Sequence, residues 1–143
     1  MMVQNLIKFI RDYYKTDDFV PLHAPTLKGK EKENLLDAID STFVSSVGAY
    51  VDLFEDKIAK YTGSCCAIAT VNGTSALHLS LLLAGVKAGD LVITQPLTFV
   101  GTCNAISYCG AEPIFVDVDR VSLGMSPSAL EDWLDNNAFI DDD

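Results

Sequence analysis

From Cys65 onward, apolar runs of strand length alternate with apolar segments of helix length, and the first two of those segments close on a glycine. Cys65–Val71 reads as a buried strand, Asn72-Gly73-Thr74 as a turn, and Ser75–Ala84 as an apolar helix closed by Gly85. Leu91–Thr94 is a second short strand, Thr98–Tyr108 a helix ended by Gly110, and Ile114–Val118 a third strand. Ser126-Pro127 reads as an N-cap with proline at the first helical position, opening a helix through Leu130 and Leu134. Such alternation specifies an α/β class with a mostly parallel sheet flanked by helices, since parallel neighbours need a long crossover between them. Three strands make a narrow sheet, and parallel sheets are normally covered on both faces.

Upstream, the period is helical. Val3, Leu6, Ile7, Ile10 and Tyr14 recur at the spacing of an amphipathic helix. Pro21 and Pro25 favour an extended path. A second helix is expected over Lys30–Ser41, with Leu35, Leu36 and Ile39 facing inward. After the small-residue joint Val44–Gly48, a third carries Val51, Phe54, Ile58 and Tyr61 on one stripe and ends at Gly63. The expected organisation is an N-terminal helical segment over residues 1–63, followed by the first part of an α/β domain over 64–143. With no further strand before Asp141-Asp142-Asp143, that domain reads as truncated.

Of the 143 residues, 49% are apolar and 21% charged, which is rich for a self-contained domain of this size. A partner surface, a missing remainder of the chain or simply an apolar domain would account for the excess. The net charge of −10 argues against nucleic acid and against an anionic membrane as partners, because phosphates are bound by clustered Lys and Arg. The most apolar stretch, Ala76–Val86, contains His78 and Ser80 and is far shorter than the ~20 residues a bilayer span needs. Asn5, Lys8, Arg11 and Asp12 interrupt the first apolar stretch, so no secretory signal is read there and the cytoplasm is expected. Cys65 and Cys66 are adjacent, and Cys103 and Cys109 are six apart. Neither spacing is that of a metal site, so buried free thiols are expected and no metal is assigned.

Chemistry concentrates at two places. Ala69-Thr70-Val71-Asn72-Gly73-Thr74-Ser75 would leave helix-start N–H groups facing a ligand, where the helix dipole favours an anion and Gly73 permits close approach. That turn suits one phosphate group, and the same residue types also make an ordinary capped helix. Neither a Walker loop nor a dinucleotide fingerprint is present. The second place is Thr94-Gln95-Pro96-Leu97-Thr98-Phe99-Val100, at the carboxyl end of a strand, where ligands of open α/β sheets bind. Phe99 there could face an aromatic cofactor or pack into a core. His78, one turn after Ser75, reads as a hydrogen-bonded core or interface histidine, and His23 has no partner at catalytic spacing.

Several motifs follow one another in a familiar order: Val44-Ser45-Ser46-Val47-Gly48, Phe54-Glu55, Asn72-Gly73-Thr74-Ser75-Ala76-Leu77, Pro96-Leu97-Thr98-Phe99-Val100, Asn104-Ala105-Ile106, Gly110-Ala111-Glu112-Pro113 and Phe115-Val116-Asp117-Val118-Asp119. From about Pro21 to the end they resemble the N-terminal portion of the DegT/StrS-type sugar aminotransferases. The helical extension and Ile93–Phe99 look closest to the legionaminic-acid-type branch. The resemblance implies the N-terminal part of a fold-type I large domain that binds pyridoxal 5′-phosphate (PLP). It implies transfer of an amino group, with glutamate as donor, to C4 of a UDP-linked 4-keto-6-deoxy-N-acetylhexosamine for surface polysaccharide, in a homodimer. Carried over residue by residue, it makes Gly73, Thr74 and Ser75 the phosphate cradle, Phe99 the ring on the pyridine, and Ser46 and Gly48 neighbours of the sugar. Asp117 and Asp119 are read as the end of the third strand instead.

The departure from the family pattern is as informative. The reaction needs a lysine to hold PLP and move protons, and a carboxylate on the pyridine nitrogen. None of Lys8, Lys15, Lys28, Lys30, Lys32, Lys57, Lys60 and Lys87 stands at a matching position. The 143 residues alone are therefore expected to be inactive. The alternative class is a non-catalytic α/β phosphate-binding or interaction module.

Overall fold

A computed structural model describes residues 2–45 and 47–139. The elements are α1 (Met2–Tyr14), α2 (Glu31–Asp40), α3 (Ala49–Thr62), α4 (Gly73–Leu83), β1 (Leu91–Thr94), α5 (Val100–Tyr108), β2 (Glu112–Phe115) and α6 (Pro127–Asn137). The chain divides inside α3 into two units, Met1–Phe54 and Glu55–Asp143.

The first unit holds α1, α2 and the start of α3. Each helix forms where the 3.6-residue period placed it, but the inward face expected of α2 is not found. Leu35, Leu36 and Ile39 are 62, 60 and 51% exposed. Periodicity fixes which side of a helix is apolar, whereas burial needs an opposing surface, and the first unit supplies none that covers these three. Tyr50 donates from its hydroxyl to Asp37 Oδ2 at 2.9 Å, tying the start of α3 to α2.

The second unit is α/β, with β1 and β2 parallel and joined through α5. Leu91 stands opposite Glu112 and Thr94 opposite Phe115. The buried residues are Thr94 on β1, Gly101, Ala105 and Ile106 on α5, and Ala111 and Val116 on either side of β2. Gly63, Gly85 and Gly110 follow α3, α4 and α5 with φ of +73°, +88° and +74°, so the three helices end as their glycines foretold. Gly110 is constrained twice over, because a Cβ there would also lie 2.9 Å from Ala88 Cβ. Ser126 caps α6 by accepting from the Ala129 N–H at 3.3 Å.

Two strand expectations are corrected. Cys65–Val71 runs without pairing in a sheet, since no neighbouring strand among the described residues completes a ladder. An apolar run supplies the side chains of a strand, but its partner must come from elsewhere in the fold. The third strand starts two residues earlier than expected and ends at Phe115. Val116 N–H still donates to Thr94 O at 2.9 Å, and Val118 then bridges Met125 in antiparallel sense. Asp117 and Asp119 thus lie past the strand.

Asp119 closes the following turn, its Oδ1 accepting from the Ser122 N–H at 2.7 Å and the Val121 N–H at 3.0 Å. The N–H and hydroxyl of Ser122, then the N–H of Val121, hold its carboxyl below the usual carboxylate range. Its stabilising effect is present above the ordinary carboxylate pKa and is lost as pH falls through the lower folded value. In an NMR titration, Asp119 should therefore titrate below the ordinary aspartate value, and Ser122→Ala should move it up. Ile106→Ala should cost about 2–4 kcal/mol by chemical denaturation, as expected when a buried methyl cluster is removed. Leu35→Ala, at a 62% exposed position, should change stability by no more than about 0.5 kcal/mol.

Candidate functional site

The turn into α4 is built by its own polar side chains. Thr70 Oγ1 donates to Asn72 O at 3.0 Å, and Asn72, extended at φ −164°, accepts the Ser75 N–H on Oδ1 at 2.8 Å. Asn72 is therefore the cap, and Gly73 and Thr74 are the first helical residues, two positions earlier than the sequence suggested. The cap takes the Ser75 amide. Among the described residues no acceptor meets the N–H of Gly73 or Thr74, so these two amides remain at the positive end of the α4 dipole. A Cβ built on Gly73 meets nothing within 4 Å, leaving open space over the turn. An anion of phosphate size fits this arrangement, with the Thr74 and Ser75 hydroxyls as further donors.

Upstream, Glu55 holds the approach to the turn. Its Oε1 accepts the Ala69 N–H at 2.7 Å, fourteen residues away and partly buried. The sequence motif Phe54-Glu55 marked the residue without giving it this role. An acidic residue set in an apolar helical stripe was the available signal.

The second half of the site is the start of α5. Phe99 is its N-cap residue and its ring is 79% exposed, so it is not core packing. The loop before it is held by Gln95 Nε2, which donates to Leu97 O at 2.8 Å. Thr98 and Thr102 share a hydroxyl hydrogen bond at 2.9 Å across the first turn. α4 and α5 pack together, and buried Gly101 lies where the start of α5 meets Thr74. A Cβ built there would lie 2.6 Å from Thr74 Oγ1 and 3.0 Å from Phe99 Cδ1. The missing methyl thus brings the expected phosphate-side hydroxyl and the expected ring to one point. Sequence reasoning did not select Gly101, because a glycine inside a helix shows its purpose only when its neighbour in space is known.

Other sequence candidates fall differently. His78 is half-buried and its ring meets Tyr108 edge-on at 5.6 Å, and among the described residues it makes no hydrogen bond of the kind expected. Gly48 immediately precedes α3, its carbonyl accepting the Val51 N–H at 2.9 Å, and it lines a cleft with Asp37, Phe43 and Tyr50 in the first unit. Ser46 lies outside the described residues. All eight lysines are exposed, and Lys60 pairs with Asp56 at 2.7 Å. The thiols are free, as expected, but not buried. Cys65 and Cys66 are exposed and Cys103 and Cys109 half-buried, because the stretch carrying the first two has no sheet to enter.

The Gly101 contact can be tested directly. Gly101→Ala should turn the Thr74 hydroxyl away and lower PLP affinity roughly threefold to tenfold, the effect of one lost hydrogen bond. Fluorescence titration with PLP is the measurement, and unchanged affinity would remove Gly101 from the site.

Residues 25–138 match the family described as the DegT/DnrJ/EryC1/StrS aminotransferase family. The chain is 45% identical over 118 residues to GDP-perosamine synthase of Escherichia coli O157:H7, covering 82% of this chain and 32% of that protein. Its structure is similar to that of an aminotransferase from Psychrobacter cryohalolentis, with a TM-score of 0.71 and 31% identity, covering 80% of this chain and 29% of that one. A Streptococcus pneumoniae protein solved in its PLP form aligns with a TM-score of 0.67 and 26% identity, over 79% of this chain and 29% of that one. The chain thus spans about a third of the length of the curated relatives it matches. Family and neighbours indicate PLP as the cofactor, and the helix-start amides beside an exposed aromatic ring are in keeping with it. On the extent of the family match and the order of its motifs, this chain belongs to the DegT/DnrJ/EryC1/StrS aminotransferase family.

Proposed function

We propose that this chain carries the phosphate-and-ring half of a PLP site in a sugar aminotransferase. The observation that carries the reading is the meeting of Thr74 and Phe99 at Gly101. In this reading, the free N–H groups of Gly73 and Thr74 bind the phosphate, helped by the Thr74 and Ser75 hydroxyls. Asn72 fixes the turn, and Phe99 covers one face of the pyridine. PLP, when bound, supplies an electron sink for the carbon that loses or gains the amino group. Ser46 and Gly48 are proposed to lie beside the sugar.

For the whole enzyme we propose amino transfer from glutamate to C4 of a nucleotide-linked 4-keto-6-deoxy sugar destined for surface polysaccharide. It would act in the cytoplasm as a homodimer, with residues 64–143 as the start of its PLP-binding domain. The UDP-linked N-acetyl sugar is the first substrate to try, on the resemblance of Ile93–Phe99 to the legionaminic-acid-type branch. The GDP-linked sugar is the second, on the name of the E. coli relative. Among the described residues no helix is long and apolar enough to cross a membrane.

The 143 residues alone are proposed to be inactive, because none of their eight lysines stands at a position matching the family's cofactor-holding lysine. Incubation with PLP, glutamate and either keto-sugar should give saturable PLP binding, weakened severalfold by Phe99→Ala, and no amino sugar by mass spectrometry. Turnover would overturn the inactivity, and PLP binding indifferent to Phe99→Ala would overturn the site.

A further inference from the structure

Cys65 and Cys66 stand at the exposed beginning of the extended stretch between α3 and α4, and the site above uses neither. Neighbouring side chains on a strand point to opposite faces. Here no ladder imposes that alternation, and the two sulfurs come together. Their Sγ atoms are 3.9 Å apart, with the Cys65 thiol donating to the Cys66 sulfur.

That spacing suits one kind of chemistry better than another. A zinc-like cation bonded tetrahedrally to two thiolates at about 2.3 Å sets the sulfurs roughly 3.8 Å apart, and the pyramidal bonds of trivalent arsenic need them only slightly closer. The pair already has this separation. A disulfide needs its sulfurs at about 2.05 Å and usually its Cα atoms at least about 4.4 Å apart. Consecutive Cα atoms are held at about 3.8 Å, so ring closure would distort the backbone where chelation would not. Among the described residues no group of three His, Cys, Asp or Glu gathers into a cage, so a bound centre would take two bonds from the protein.

We infer that Cys65 and Cys66 form a two-point chelating site for a thiophilic centre, either a soft metal cation or a trivalent arsenical. With phenylarsine oxide the step balances without an oxidant. The arsenic–oxygen bond is exchanged for two arsenic–sulfur bonds, and the oxygen leaves as water with the two thiol protons.

The test is intact-mass analysis of the chain after phenylarsine oxide treatment in excess monothiol. One phenylarsenic group per chain is expected, removed by a dithiol. Cys65→Ser and Cys66→Ser should each abolish uptake, while Cys103→Ser combined with Cys109→Ser should leave it intact. A parallel Cd2+ titration, read by thiolate-to-metal absorbance, distinguishes the sources. Absorbance lost in both single variants supports a cation site, and arsenic uptake alone supports an arsenical site. No uptake of either probe, or uptake that survives loss of one thiol, would overturn the inference. PLP plays no part in these readouts, so their failure is separate from failure of the aminotransferase reading.

Discussion

The packing of α4 on α5 at Gly101 is the contact on which the rest of this site depends. Two helix starts must converge if an anion and an aromatic ring are to be held by the same ligand. Convergence is limited by side-chain bulk, and a glycine at this contact removes that limit. The parallel pairing of β1 with β2 serves the same end, because it fixes both ends of the segment containing α5. Thr94, at the carboxyl end of β1, is buried and accepts the Val116 N–H, so the loop toward Phe99 leaves from a fixed point.

The turn before α4 shows how local chemistry prepares such a site. An unpaired helix start is electrostatically attractive to anions but must be kept in shape. Asn72 takes one amide and leaves two, so the cap stabilises the turn without filling it. Glu55 acts one step back, by holding the backbone of Ala69. These contacts are short polar ones rather than apolar burial. That is in keeping with a core reduced to Ala105, Ile106, Ala111 and Val116.

Much of the apolar surface that the period analysis assigned to cores is open. Val71, Leu83 and Phe99 are 88, 81 and 79% exposed, as are the α2 residues in lesser degree. Parallel sheets and their helices are normally covered on both faces, and among the described residues little covers these side chains. Phe99 is the case in which exposure is consistent with the proposed role.

Helix positions, their glycine stops, the Ser126 cap and the α/β class were legible in the sequence, because each is set by residues within a few positions of one another. The polar turn into α4 was legible for the same reason, and the order of motifs carried the family. Tertiary structure decided what depends on a distant partner. Cys65–Val71 has strand composition and no strand beside it, β2 is shifted by its pairing with β1, and Leu35, Leu36 and Ile39 have an apolar side and nothing to bury it. Gly101 and the Cys65–Cys66 contact belong to the same class. A missing methyl group and a pair of thiols acquire meaning only from the atoms that the fold places next to them.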